Sequence, residues 1–109
     1  MKQSIYIAGK VTGLDFEEVT AKFQEAETML LEQNWKTIVN PIKLINNPAE
    51  EWHTAMEKCL AALTNCEAIY MLPCSVDSPG AKLELQFAMD NNIDIYYELE
   101  NLEVEPEIL

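Results

Sequence analysis

Short apolar runs alternate with longer segments of helical periodicity along this chain, and this alternation restricts the fold more than any other feature. The runs at 5–8, 35–40, 68–72 and 93–97 are strand-like, and 68–72 is continuously apolar, as strands covered on both faces are. Between these runs, three segments repeat apolar residues at steps of three and four, which is the period of an amphipathic helix. We therefore predict the order β-α-β-α-β-α-β.

Apolar periodicity supports all three predicted helices, and a capping signal supports the third. The first opens at Asp15, the second carries an apolar stripe from Trp52 to Leu63, and the third runs from Pro79 to about Asn91. Ser78 before Pro79 combines an N-cap residue with proline at the first helical position. The pair Asn40-Pro41 ends the second strand, and a loop through residues 46–48 leads to the second helix.

This order of elements predicts an α/β three-layer sandwich of the flavodoxin or Rossmann type. Right-handed crossovers give a parallel sheet of strand order 2-1-3-4 with helices on both faces. Ligands of such sheets bind at the carboxyl ends of the strands. The loops at 9–13, 40–41 and 73–80 should therefore converge on one crevice.

Composition limits the number of domains and the kinds of partner. The 109 residues predict one domain over 1–97 and an acidic tail over 98–109. The net charge of −12 would repel a nucleic-acid polymer, and no apolar run approaches a membrane span. Three cysteines without a CxxC pair indicate neither disulfides nor zinc, so a cytoplasmic protein with a small-molecule partner is expected.

The loop from Gly9 to Gly13 is long enough to bring backbone amides and a helix N-terminus toward an anionic or hydroxyl-rich ligand. It lacks both the P-loop ending and the GxGxxG pattern. A tight strand-to-helix turn that needs glycine for its backbone freedom explains the loop equally well. Both interpretations stay open at this level.

Glu84 is the more informative residue. On a helix that begins near Pro79 it projects beside Ala81 and Ala88, which should face inward, and with Ser78 as N-cap it is not the capping-box partner. A carboxylate at the edge of a buried face near a glycine loop is a candidate nucleophile or an acceptor for sugar hydroxyls. Periodicity alone leaves a structural role as the alternative.

The remaining candidates each have a simpler explanation. Asp77 could form an Asx turn, Ser78 is first an N-cap and only second a phosphate ligand, and Lys10 either contacts an anion or points to solvent. Cys59 lies on an apolar stripe and fits a core position.

Several of these segments together resemble the nucleoside 2-deoxyribosyltransferase-like superfamily, within it a small, largely uncharacterised bacterial and phage branch. The similarity extends through Tyr97, and its most specific part is the segment from Ser78 to Glu84. It is carried by IYIAGKVTG at 5–13, by Asn40-Pro41, by CEAI at 66–69 through Pro73, and by SPGAKLE at 78–84 with Ala88.

The resemblance implies a site and a reaction. Glu84 would be the nucleophile that attacks the anomeric carbon of a 2-deoxyribosyl group, with Tyr6 beside it and Ser78 facing a 5′-phosphate where the substrate is a nucleotide. No metal or cofactor is implied. The residues expected to contact the substrate are Gly9, Lys10, Gly13, Asn40, Asp77, Ser78 and Gly80.

The sequence departs from that family at its second carboxylate. The usual aspartate lies eight residues before the acidic residue that opens the third strand, and counting back from Glu67 reaches Cys59. Three functions follow from these patterns: N-glycosidic bond cleavage or 2-deoxyribosyl transfer at Glu84, a catalytically impaired module that binds a nucleotide or ribose ligand, and a phosphate-binding flavodoxin-like module. A homo-oligomer is also expected, because Leu83 and Phe87 lie opposite the inward side of their helix.

Overall fold

The computed structural model describes residues 3–11, 13–47, 49–73, 75 and 78–97. The acidic tail therefore lies outside the described residues. In chain order the elements are β1 (Ser4–Ala8), α1 (Phe16–Glu32), β2 (Thr37–Val39), α2 (Pro41–Ile45), α3 (Trp52–Thr64), β3 (Ala68–Met71), α4 (Pro79–Asp90) and β4 (Asp94–Tyr97).

The four strands form one parallel sheet in the order β2-β1-β3-β4, which confirms the predicted α/β fold and strand order. Ile5 of β1 lies opposite Ile38 of β2 and Ala68 of β3, so β1 is paired on both sides. Helix α1 packs on one face of the sheet, while α3 and α4 pack on the other. The carboxyl ends of the strands consequently share one edge.

Alternate residues of β1 enter two different cores. Ile5 and Ile7 face α1, where they join Phe23 and Leu30 in a cluster of hydrophobic side chains. Tyr6 and Ala8 point the other way, into the cluster formed with α3 and α4. All four side chains of β1 named here are fully buried, because a strand alternates its side chains between the two faces of the sheet.

Helix α2 is the element that sequence analysis missed. Asn40 is its N-cap, accepting a hydrogen bond from the backbone N–H of Ile42 at 3.0 Å, and Pro41 occupies the first turn. The Asn40 amide also donates to Glu27 of α1 at 3.0 Å. Asn40-Pro41 ends β2 as predicted, and an N-cap residue followed by proline also begins a helix.

Strand β2 is shorter than predicted, because Trp35 is buried for another reason. It belongs to the core cluster on the α1 face, and its ring meets the ring of Tyr96 edge-on, with centroids 5.8 Å apart. An aromatic residue that packs into the core before a strand extends the apolar run without extending the strand.

The outer side of α4 is less apolar than expected. Leu83 is 49% exposed, but Phe87 is half-buried and packs against the α3/α4 core. Within the described part of the chain, no helix combines the length and the apolar character that crossing a bilayer requires.

Candidate functional site

A cavity of about 290 Å³ opens where the three predicted loops meet, at the carboxyl edge of the sheet. Gly9 follows β1, Pro41 follows β2 and Gly80 begins α4, and each contributes to the wall. The predicted convergence of these segments on one crevice is therefore confirmed.

Glu84 is held inside this cavity by the second turn of α4. Although it carries a carboxylate, Glu84 is only 5% exposed. The phenol of Tyr6, 78 positions earlier in the chain, donates a hydrogen bond to Oε2 of Glu84 at 2.5 Å. Because Tyr6 is fully buried in β1, packing in the core holds its phenol in place. The hydrogen bond from the phenol in turn orients the Glu84 carboxylate.

Burial sets the acidity of this pair. Removing the Glu84 carboxylate from water raises its pKa to about 7, and the hydrogen bond from Tyr6 acts in the opposite direction. Desolvation and the neighbouring Glu84 charge raise the pKa of Tyr6 well above its ordinary value. The phenol therefore keeps its proton, and Glu84 exchanges its own near neutrality.

Cys59 of α3 lies on the same cavity wall and interacts with the Tyr6 phenol. Burial raises the pKa of its thiol to about 11, and the charge of Glu84 acts in the same direction. At neutral pH the thiol is uncharged, so this position supplies no second carboxylate and no thiolate nucleophile.

The two glycines of the wall have different roles. A Cβ at Gly9 would lie 2.8 Å from Cδ1 of Leu72, and one at Gly80 would lie 3.1 Å from Sδ of Met56. Gly9 is therefore required by packing under the loop. Gly80 lets the start of α4 approach α3 where the cavity lies between them.

Large apolar side chains form most of the remaining wall. Phe16 at the start of α1 and Trp52 at the start of α3 both line the cavity, and each is 38% exposed. Ile42, Ile45 and Met56 line it more deeply. A cavity with a broad apolar surface and one buried carboxylate suits a ligand with a flat ring and a polar reacting centre.

Four of the predicted substrate-binding residues are not among the described residues that line the cavity, and their roles stay predictions. Ser78 is the N-cap of α4, with its hydroxyl accepting from the backbone N–H of Ala81 at 3.1 Å. Asn40 caps α2 as described above, and Gly13 adopts a positive φ of 85° in the loop before α1. Lys10 lies in the same loop.

Asp77, the other predicted substrate-binding residue, lies outside the described residues. Glu50, in contrast, lines the cavity and was not anticipated. It lies in the loop before α3, beside the N-cap residue Glu51. Because Glu50 lies in a loop, no periodic pattern of the sequence could have assigned it to the cavity.

Comparison with family models gives one match. Residues 3–97 match the family described as a domain of unknown function, DUF4406. The chain belongs to this family. Comparison of the chain with curated proteins and with solved structures gives no significant match. Among the described residues of this DUF4406 protein, no three His, Cys, Asp or Glu side chains are grouped as a metal site would need.

Proposed function

We propose that this DUF4406 protein cleaves the N-glycosidic bond of a nucleoside or nucleotide, or transfers its 2-deoxyribosyl group, with Glu84 as the nucleophile. The observation that carries the proposal is the buried Glu84 carboxylate, oriented by Tyr6 at 2.5 Å inside a cavity whose wall is mostly apolar. The sequence resemblance to the nucleoside 2-deoxyribosyltransferase-like superfamily assigns the same residue the same role.

The reaction would proceed in two displacements. An oxygen of ionised Glu84 attacks the anomeric carbon, the bond from that carbon to the base nitrogen breaks, and the base leaves with its electron pair and takes up a proton from water. Water or a second base then attacks the same carbon and gives its proton to the hydroxide left by the first step, which releases Glu84 as a carboxylate. Glycoside hydrolases with a carboxylate nucleophile follow the same sequence of bonds.

The hydrogen bond from Tyr6 has a definite consequence for this chemistry. It directs the phenol proton to Oε2 of Glu84, which leaves Oε1 as the oxygen available for attack. A pKa of about 7 means that Glu84 ionises near neutrality, so the ionised fraction of the proposed nucleophile increases with pH.

The alternative is a binding module that has lost catalysis. Cys59 favours it, because its thiol is neutral and cannot replace a second carboxylate as acid or base. In that case the cavity would still hold a nucleotide or another ribose-containing ligand, and the protein would regulate a partner according to its occupancy.

Two further proposals concern the compartment and the oligomeric state. We propose that the protein is cytoplasmic, since Cys59 and Cys66 are free, buried thiols that a reducing compartment preserves. We also propose that it self-associates through the outer side of α4, where Leu83 is exposed.

Release of free base separates enzyme from binding module. The protein is incubated with a panel of 2′-deoxynucleosides and their 5′-monophosphates, and the products are separated by chromatography. Intact-protein mass spectrometry after acid quench should also show the added deoxyribosyl group on the wild type and not on Glu84→Gln. If no substrate releases base while one of them binds, the enzyme proposal is wrong and the binding module stands.

A further inference from the structure

Glu50 places a second carboxylate in the wall of the cavity, separate from the Tyr6–Glu84 pair. Its side chain is only 16% exposed, and Lys58 of α3 pairs with Oε2 at 3.0 Å. The amide of Asn47 donates to Oε1 at 3.4 Å. These contacts hold the carboxylate in place at the end of the loop before α3.

Lys58 pairs with Glu50 but does not line the cavity. The lysine side chain is 52% exposed and is not among the described cavity-lining residues, whereas Glu50 is one of them. Because water screens an exposed ammonium, Lys58 offsets only part of the Glu50 charge. The charge that a bound molecule would meet first at this wall is therefore negative.

The cations that usually bind phosphate are scarce in this chain. All seven of its Lys and Arg residues are lysines, so no arginine can form a bidentate clamp. No described lysine lines the cavity. The positions between 3 and 97 that the structure does not describe are Thr12, Pro48, Cys74, Val76 and Asp77, and none of them is cationic.

We propose that Glu50 is a specificity-determining residue, which makes the site accept an uncharged nucleoside and reject the same nucleoside carrying a 5′-phosphate. An ionised carboxylate can only accept hydrogen bonds, so it selects a ligand that presents a hydroxyl or amino group to this wall. It repels a phosphate dianion by its charge. This inference rests on the proposed function, because it concerns the substrate of that site.

The test compares kcat/KM for one 2′-deoxynucleoside with kcat/KM for its 5′-monophosphate. The wild type should prefer the nucleoside by about tenfold or more, the size expected for one like-charge pair at a partly exposed site. Glu50→Gln should reduce this preference about tenfold, mainly by lowering KM for the monophosphate. The control, Glu57→Gln, removes the same charge from the exposed side of α3 and should leave the preference unchanged.

A second variant guards against a folding defect in Glu50→Gln. Lys58→Gln leaves the Glu50 carboxylate without its counter-ion and should increase the discrimination against the monophosphate. Raising the salt concentration should weaken the wild-type preference and have less effect on Glu50→Gln, because only the charge–charge part is screened.

The outcomes distinguish this inference from the proposed function. If the wild type turns over the monophosphate as well as or better than the nucleoside, or if Glu50→Gln slows both equally, Glu50 does not set specificity although the reaction stands. If no base is released, calorimetric binding of the nucleoside with exclusion of the monophosphate supports the inference without the enzyme. Binding of neither compound overturns both.

Discussion

The two faces of strand β1 bury different kinds of side chain. Toward α1, Ile5 and Ile7 enter a hydrophobic cluster with Phe23 and Leu30. Toward α3 and α4, the strand presents Tyr6, whose phenol binds the only buried carboxylate among the described residues, Glu84. Both faces are equally well buried, but burial has different energetic consequences for their side chains.

On the α1 face, burial mainly stabilises, because most of the buried groups are hydrocarbon and gain by leaving water. On the other face, the same burial makes the Glu84 anion less stable and raises its pKa to about 7. The protein tolerates that destabilisation beside the cavity, which is the arrangement expected of a functional site rather than of a core.

Glu84→Gln should produce the largest effect and should separate activity from stability. It removes the nucleophile and keeps the shape, so base release should fall by about 10³ or more while ligand binding survives. Wild-type Glu84 has a folded pKa above its ordinary value of 4.5, so its stabilising proton is present below about pH 4.5 and lost as the pH rises through about 7. Relative to the wild type, the variant should therefore gain stability between pH 5 and pH 8, on the order of 2 kcal/mol.

Denaturant unfolding at pH 5 and pH 8 measures this difference. The stability advantage of Glu84→Gln over the wild type should grow between the two pH values. An advantage that is the same at both would mean that Glu84 is not the buried titrating group, and full base-releasing activity in the variant would refute the nucleophile assignment.

Leu30→Ala, on the α1 face, should have the opposite effect to Glu84→Gln: it should reduce stability and leave the activity of the folded protein nearly unchanged. Leu30 is 1% exposed and belongs to the apolar cluster, so its truncation should cost about 2–5 kcal/mol of unfolding free energy. Because it lies at the end of α1 away from the cavity loops, kcat of the folded fraction should remain within about twofold of the wild type. Urea unfolding and activity at low temperature test both parts. A large fall in kcat with little loss of stability would contradict the division between the faces.

Tyr6→Phe should shift the pH dependence of the reaction. Wild-type kcat/KM should rise about tenfold per pH unit below pH 7 and level off above it, because ionised Glu84 is the reactive form. The Tyr6 hydrogen bond lowers the pKa of Glu84, so its removal should move this limb to higher pH. Rates between pH 5 and pH 9 measure the shift. As a control, Tyr97→Phe removes a phenol from an exposed position and should leave the limb in place.

Leu83→Asp should have the smallest effect on the site and should act only on assembly. Leu83 lies on the outer side of α4, away from the core face that carries Glu84, and a charge there opposes an apolar contact between copies. Light scattering at tens of micromolar, roughly where a micromolar interface is populated, should show an oligomer for the wild type and a monomer for the variant. A monomeric wild type would disprove self-association.

Local patterns in the sequence were enough to predict the layers of this protein. Apolar periodicity predicted three of the four helices and all four strands, and the Ser78-Pro79 pair located the start of α4. Right-handed crossovers then gave the strand order. The same periodicity placed Glu84 on the inward side of α4, because a helix repeats its faces every few residues whatever lies opposite.

Only the tertiary structure decided what those inward positions meet. Tyr6 and Glu84 are 78 positions apart, Glu50 reaches the cavity from a loop, and Asn40 belongs to a short helix that a strand-ending signal concealed. Periodicity specifies a face of an element and carries no information about its partner across the core. The pKa of Glu84 depends on that partner and on complete burial, and both arise only when β1, α3 and α4 pack together.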